Sequence, residues 1–513
     1  MKKIIIFIVV VVVFQNCQNT STSSQQNITL KPSGKLGNEL AQIYCGNCHQ
    51  YPEPSLLDKK TWIKELLPNM GARLGIKTAN YDPFAKMGEF DKMMIETENI
   101  YPTTPLINEE DWHKIVDFYK KEAPDSLIPP QYQRQNVQLL KGFNLKKISE
   151  TNIPPLLTMT KIDTLNKRLN IGLFDGRLLT LATQKKDITI ENTYNFSSPP
   201  VGLIRSNNEK WLVLGIGQIH PNEQFEGALF QLDLKSKQNT TLLRNLKRPT
   251  FMAAVDAQNN ESGVAICEYG YQKGQLSFYK KKNQIWNGVA LSGMAGASKV
   301  IPHDFNKDGL IDLAVLMAQG NECINIYYAK KDGSFTEKQV LQFPSVYGSC
   351  DIQLLDFDKN GTTDILYTNG DNEDFSPILK PYHGVRVFLN DGKDNFTEGV
   401  FYPMNGAFQA RAADFDADGD MDIVVTSMFP SDKTKPEAHF LYLEQTQTFK
   451  FKPYTFKEAT QGRWMTMDIG DADGDGDIDI LLGSFVISLA GNSNKNERTE
   501  KILPFLFMEN KLK

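Results

Sequence analysis

The chain has 513 residues, enough for two or more domains, and its 61 acidic and 56 basic side chains leave a formal charge of −5. That balance excludes the basic surface a nucleic-acid-binding protein needs. Much of the acid is also unavailable as general surface charge, because many Asp residues sit in four tight clusters in the C-terminal half.

At the N-terminus, Lys2 and Lys3 precede an apolar run from Ile4 to Phe14, and Cys17 follows. The run is short for a bilayer span but suits the core of an export signal. Cys17 stands where a lipoprotein signal places its acylated cysteine, although Phe14-Gln15-Asn16 departs from the usual small residues. Ordinary cleavage, leaving a soluble periplasmic protein, is the alternative. Residues 1–17 are therefore expected as a lipoprotein signal. Residues 18–34, rich in Gln, Asn, Ser and Thr at their start, are expected as a flexible tether. The expected location is the outer membrane, held by the lipid anchor alone, facing the periplasm or the cell surface.

Next comes Cys45-Gly46-Asn47-Cys48-His49. Thiols three positions apart can reach the two vinyl groups of one porphyrin, and the adjacent imidazole can bind its iron. Zinc would require a second Cys/His pair, and the next cysteine is Cys267. A thioredoxin-like motif would require a βαβ setting, which residues 35–60 do not show. One covalent c-type haem is the expected cofactor. Leu36, Leu40 and Ile43 predict a helix leading into the motif, and Asn108 predicts the start of another carrying Trp112, Ile115, Val116 and Tyr119, stopped by Pro124. Residues 35–125, with terminal helices around a loop-rich middle, resemble a small class I-like c-type cytochrome domain. For the sixth iron ligand, Met70 is favoured, on the expectation that Pro68 holds an extended segment, over Met87, Met93, Met94 and His113.

After a linker at 126–136, residues 137–513 repeat one pattern four times. Asp304, Asn306, Asp308 and Asp312 form the first oxygen set, with the Leu310 carbonyl available. The second is Asp356, Asp358, Asn360 and Asp364 with Thr362, and the third Asp414, Asp416, Asp418 and Asp422 with Asp420. The fourth is Asp471, Asp473, Asp475 and Asp479 with Asp477. Oxygen ligands at alternate positions around a glycine turn suit Ca²⁺ better than Mg²⁺, and up to four ions are expected. An EF-hand would end in Glu, but Val315, Tyr367, Val425 and Leu482 stand there, inside apolar runs that read as strands. Loop starts lie 52, 58 and 57 residues apart, the period of a four-stranded propeller blade. Weaker copies upstream bring the expected number of blades to seven. Pro504 to Met508 reads as a third strand with no fourth after it, and Phe143 to Ile148 as an orphan outer strand able to close the ring.

On these motifs the C-terminal region resembles FG-GAP/VCBS-type repeat propellers. The whole chain is similar to haem-bearing repeat lipoproteins of the Bacteroidota type. The expected fold is thus multidomain, a small all-α cytochrome domain followed by an all-β propeller. One further segment is rich in chemistry: Asp371 and Asp374 through His383 and Arg386, with Arg411 and Arg463 ahead of two acidic loops. These six would form one pocket in an oxidoreductase with a substrate site on the propeller, and would lie dispersed in an electron carrier. The expectation is electron transfer, with the propeller docking a redox partner protein or a glycan. A binding or scaffold module without redox work is the third reading. Cys323 and Cys350 are candidates for a disulfide, with buried free thiols as the equal alternative.

Overall fold

A computed structural model describes residues 30–78, 81–128, 137–146, 148, 153–183, 187–207, 209–256, 262–283, 285–371, 378–486 and 502–512. Cys17 and Asp374 lie outside them.

Seven sheets of antiparallel strands form a seven-bladed propeller. In each of the four blades with acidic loops the second strand is buried at every position: Asp312–Met317, Asp364–Asn369, Asp422–Ser427 and Asp479–Ser484. A strand covered on both faces needs an unbroken apolar run, which is why Val, Ile and Leu fill these segments. Side chains from adjacent blades then share cores. Leu481, Phe505 and Phe507 of the last blade, for example, pack with Leu157, Ile171 and Leu179 of the first.

The first strand of every blade lines the channel, and each shifts register after its first paired residue. The shifts fall at Leu157/Met159, Pro200/Gly202, Pro249/Phe251, Ala297/Lys299, Ser349/Asp351, Ala407/Gln409 and Trp464/Thr466. A bulge adds local twist, and its sevenfold repetition curves each inner strand around the axis in the same way.

The ring closes as the orphan strands require. Phe143–Lys146 pairs antiparallel with the final strand Phe505–Asn510, placing Phe143 opposite Asn510 and Lys146 opposite Phe507. The Lys146 ammonium also meets Glu509 at 2.6 Å. The same stretch of chain grips both neighbouring blades. Gln138–Leu139 adds a parallel strand beside Tyr454 and Thr455, and Ile148 bridges to Ile188.

Ahead of the propeller, helices occupy Gly37–Cys45, Glu89–Thr97 and Glu109–Glu122, with Lys59–Thr61, Trp62–Leu66 and Leu67–Arg73 running end to end. Asn108 caps the last helix through the Glu110 N–H at 2.9 Å. Leu40, Trp62, Leu67, Trp112, Ile115 and Tyr119 build its core, and Val346 and Tyr382 of the propeller enter the same core.

The extended segment expected around Met70 is a helix instead. Pro68 lacks an N–H, and the turn before it widens so that Leu67 N–H bonds back to the Trp62 carbonyl. A single π turn absorbs the proline and the helix continues to Arg73.

Candidate functional site

Helix Gly37–Cys45 delivers Cys45 at its last turn, half-buried against the helical core, while Cys48 is exposed. Burial pushes the Cys45 thiol up to about 11, opposed by a hydrogen bond with Tyr119. Such a thiol is protonated at neutral pH. His49 places Nδ1 2.9 Å from the Gln50 carbonyl. If that contact is the N–H donating, Nε2 carries the lone pair a metal ligand needs. Apolar side chains stay exposed on two of the helices: Ile43 at 49%, Phe90 at 45% and Met93 at 52%.

Met70 is half-buried and packs on the core that holds Cys45. Met87 and Met94 are half-buried, Met93 is exposed, and His113 lies on the solvent side of its helix.

All four acidic loops join first to second strands and share one geometry. The first aspartate accepts the N–H of the turn glycine: Gly309 to Asp304 and Gly361 to Asp356 at 2.9 Å, Gly419 to Asp414 at 3.1 Å, Gly476 to Asp471 at 3.2 Å. Those glycines have φ between 84° and 96°, and the residue two before each (Lys307, Lys359, Ala417, Gly474) is also left-handed.

The last aspartates are fully buried and tie the loop to the third strand. Asp312 accepts from Ala329, Asp364 from Asn390, Asp422 from Gln445 and Asp479 from Asn510, all at 2.8 to 2.9 Å.

Carboxylates of Asp356, Asp358 and Asp364 gather within 4.8 Å, as do Asp414, Asp416 and Asp418, and Asp471, Asp473 and Asp479. Asp473, Asp475 and Asp477 make a second such trio in the fourth loop. Among the described residues the first loop gathers no trio, since Asn306 replaces an acid. Buried Oδ1 atoms of Asp414 and Asp420 have no hydrogen-bond donor among the described residues, which fits a bound cation. Lys511 sits at 2.9 Å from Asp475 and occupies part of the fourth loop's acidic surface.

Of the six residues that an oxidoreductase would gather in one pocket, Asp374 lies outside the described residues, and Arg411 and Arg463 lie apart from the other three. Arg411 is not at a channel mouth. It is the fifth residue of an inner strand and bonds Asp351 at 2.5 Å, with Lys299 on the other Asp351 oxygen at 3.0 Å. Farther round, Lys161 meets Asp468 at 3.2 Å and Arg205 approaches Asp163 at 3.9 Å. These ion pairs form a partial belt that joins neighbouring inner strands from the fourth to the sixth blade and from the seventh to the second. Arg463 precedes its strand rather than lying within it, and its N–H bonds Ser484 Oγ at 2.9 Å.

Asp371, His383 and Arg386 do share one corner of the fifth blade. Asp371 N–H bonds the Gly348 carbonyl at 3.1 Å, and Arg386 bonds Asn369 and Glu398 while lying over Phe401. His383 is fully buried, and burial, with Lys380 and Arg386 nearby, lowers it to about 3. A neutral, sealed imidazole there cannot serve as a general acid at neutral pH.

Sequence reasoning missed Glu322 in the same corner. It is buried and accepts both the N–H and the Oγ–H of Ser349, whose Oγ lies 2.6 Å from Tyr367 OH. Burial raises its carboxyl to about 7, from 4.5. Folded protein holds the extra proton between those values. The stability this group contributes is therefore present below pH 4.5 and is lost as pH rises toward 7. Unfolding free energies from urea titrations at pH 5 and pH 8 should show a fall of about 2.5 kcal/mol attributable to this group. Glu322→Gln should flatten that slope, and an unchanged slope would refute the assignment.

All five described cysteines are free, so Cys323 and Cys350 form no disulfide. No helix among the described residues is long and apolar enough to cross a membrane.

Residues 304–367 and 370–425 match the family described as FG-GAP-like repeat. No curated protein matches the chain. Among solved structures, the chain is similar to the Pan2 WD40 domain of Neurospora crassa at 9% identity and TM-score 0.47, covering 73% of this chain and 97% of that one. A functionally unknown protein from Desulfotomaculum acetoxidans is similar at 11% identity and TM-score 0.39, covering 57% and 84%. The matched repeats fall within residues 304–425 of the seven-bladed propeller.

Proposed function

We propose that this chain is an exported electron-transfer lipoprotein whose helical segment is a c-type cytochrome domain and whose propeller docks a partner protein or a glycan. The observation that carries the reading is the motif itself. Two free thiols flank one turn, and the following imidazole has its Nδ1 against a carbonyl. A haem bound there would supply one-electron chemistry. Cys45 and Cys48 would hold it, His49 would ligate through Nε2, and Met70 is the favoured residue for the opposite side. Exposed Ile43, Phe90 and Met93 are apolar surface of the kind a porphyrin covers.

Dispersal of Arg411 and Arg463 away from His383 supports a carrier over an oxidoreductase with its substrate site on the propeller. FG-GAP-like repeats on a propeller support a binding or scaffold role for that part. Cys17 would carry the lipid.

The test is an absorbance spectrum, an intact mass and a potential for the full chain matured in a host that attaches haem. A covalent haem, with no reduction by small molecules in the absence of a partner protein, is expected. Colourless, unmodified polypeptide would remove the redox reading and leave the scaffold.

The four loops are proposed Ca²⁺ sites. A ligand that binds only the folded state at a hundred times its dissociation constant stabilises by about 2.7 kcal/mol per site. Chelation should therefore lower the melting temperature, and Ca²⁺ should restore it at concentrations where Mg²⁺ does not. A melting temperature indifferent to chelator would overturn the assignment.

A further inference from the structure

We propose that Tyr382, from the propeller, is a positioning residue for the segment that follows Cys45-Gly-Asn-Cys-His49. That segment is held by a ladder of aromatic polar tips. Tyr119 OH donates to the Pro52 carbonyl at 2.7 Å and Trp62 Nε1–H to Pro54 at 2.9 Å, while Tyr382 OH lies 3.1 Å from the Leu56 carbonyl and 3.3 Å from the propeller's own Val346 carbonyl, with Leu56 the nearer acceptor. Three donors meet alternate carbonyls. Two come from the helical segment itself and the third from a residue 326 positions downstream.

The propeller is built to hold that ring. Tyr382 stacks on Tyr347 with centroids 4.7 Å apart and planes 10° apart. Asn369 Nδ2 donates to the Tyr382 carbonyl at 3.0 Å and the Tyr347 carbonyl at 3.1 Å, and its Oδ1 accepts from Arg386. Arg386 lies over the Tyr347 ring. The chemistry-rich stretch near His383 and Arg386 thus serves an internal joint.

The joint extends across the face. Arg73 bonds Gln272 at 2.6 Å, Asp91 accepts the Glu223 N–H at 3.0 Å, and Lys273 pairs with Glu98. Gln272, Glu223 and Tyr382 lie between second and third strands, and Val346 lies between blades. All therefore occupy the face opposite the acidic loops. The helical segment is seated on that face over the second, third and fifth blades.

The pinning stands on hydrogen bonds alone; its effect on a haem rests on the reading above. Tyr382→Phe in the full chain keeps the stacked ring and removes the hydroxyl that Leu56 and Val346 share. Amide hydrogen exchange across residues 53–58 should rise severalfold, up to about tenfold, for one lost hydrogen bond. Tyr347→Phe, which leaves the Tyr382 hydroxyl in place, should leave it unchanged. In haem-loaded protein the midpoint potential should shift in Tyr382→Phe and not in Tyr347→Phe. Exchange unchanged in Tyr382→Phe, or raised equally in both variants, would overturn the proposal. Protein that lacks haem but shows the selective rise would refute the cytochrome reading and leave the pinning intact. Faster exchange with an unmoved potential would overturn the positioning of the haem motif.

Discussion

Asp351→Asn is expected to destabilise the propeller by about 3–5 kcal/mol, a large part of a typical domain's stability. Asp351 is 3% exposed and bonds Lys299 and Arg411, each on an inner strand of an adjacent blade. Burial alone would raise its carboxyl, yet the two cations hold it below the usual range. Lys299 is lowered by burial, with Asp351 opposing. Removing the anion leaves two buried cations without their counter-charge. The prediction separates attraction from mere packing. Replacing all three together with Lys299→Met, Asp351→Leu and Arg411→Met should cost far less than the single change, since no charge is then stranded. Equilibrium urea unfolding of the two variants decides it. A single substitution costing under about 1 kcal/mol would mean the belt is screened by water.

Legibility followed sequence distance. The acidic loops, their spacing and the two orphan strands are local features, and each maps directly onto a loop, a blade or the closure Phe143–Lys146 with Phe505–Asn510. What escaped depends on partners far apart in the chain. The Lys299–Asp351–Arg411 belt draws one residue from each of three blades, so no motif marks it. Arg411 and Arg463 look alike in sequence because both precede acidic loops, but one faces the channel axis and the other precedes its strand. The repeated bulge leaves no residue signature, as Thr158, Cys350 and Phe408 show at equivalent positions. Pro68 reads as a helix breaker, and the π turn that rescues the helix is set by packing of Trp62 and Leu67. Tyr382 lies inside the chemistry-rich segment, while its partner Leu56, 326 positions upstream, carries no motif that points to it.

Replacing both Cys45 and Cys48 with serine is expected to abolish covalent attachment. Each single serine should leave one bond, and His49→Ala should leave two. The structure gives the order its physical sense. Cys48 is exposed and Cys45 half-buried with its thiol kept protonated, so the two differ in reach and environment. In the proposed haem site His49 would not bond to the porphyrin edge, and its loss should change ligation and potential without releasing the group. Intact mass under denaturing conditions counts the thioether-bound haem directly, and the spectrum of the folded protein reports the ligand field. Cys48→Ser should therefore keep the added mass, while the double variant loses all of it. A double variant that retained the mass would place attachment elsewhere. A His49→Ala variant with an unchanged spectrum would show that another side chain binds the iron. Met70→Ala, compared in the same spectra with Met94→Ala, then tests the opposite side: only the true ligand should remove the signature of a thioether on iron.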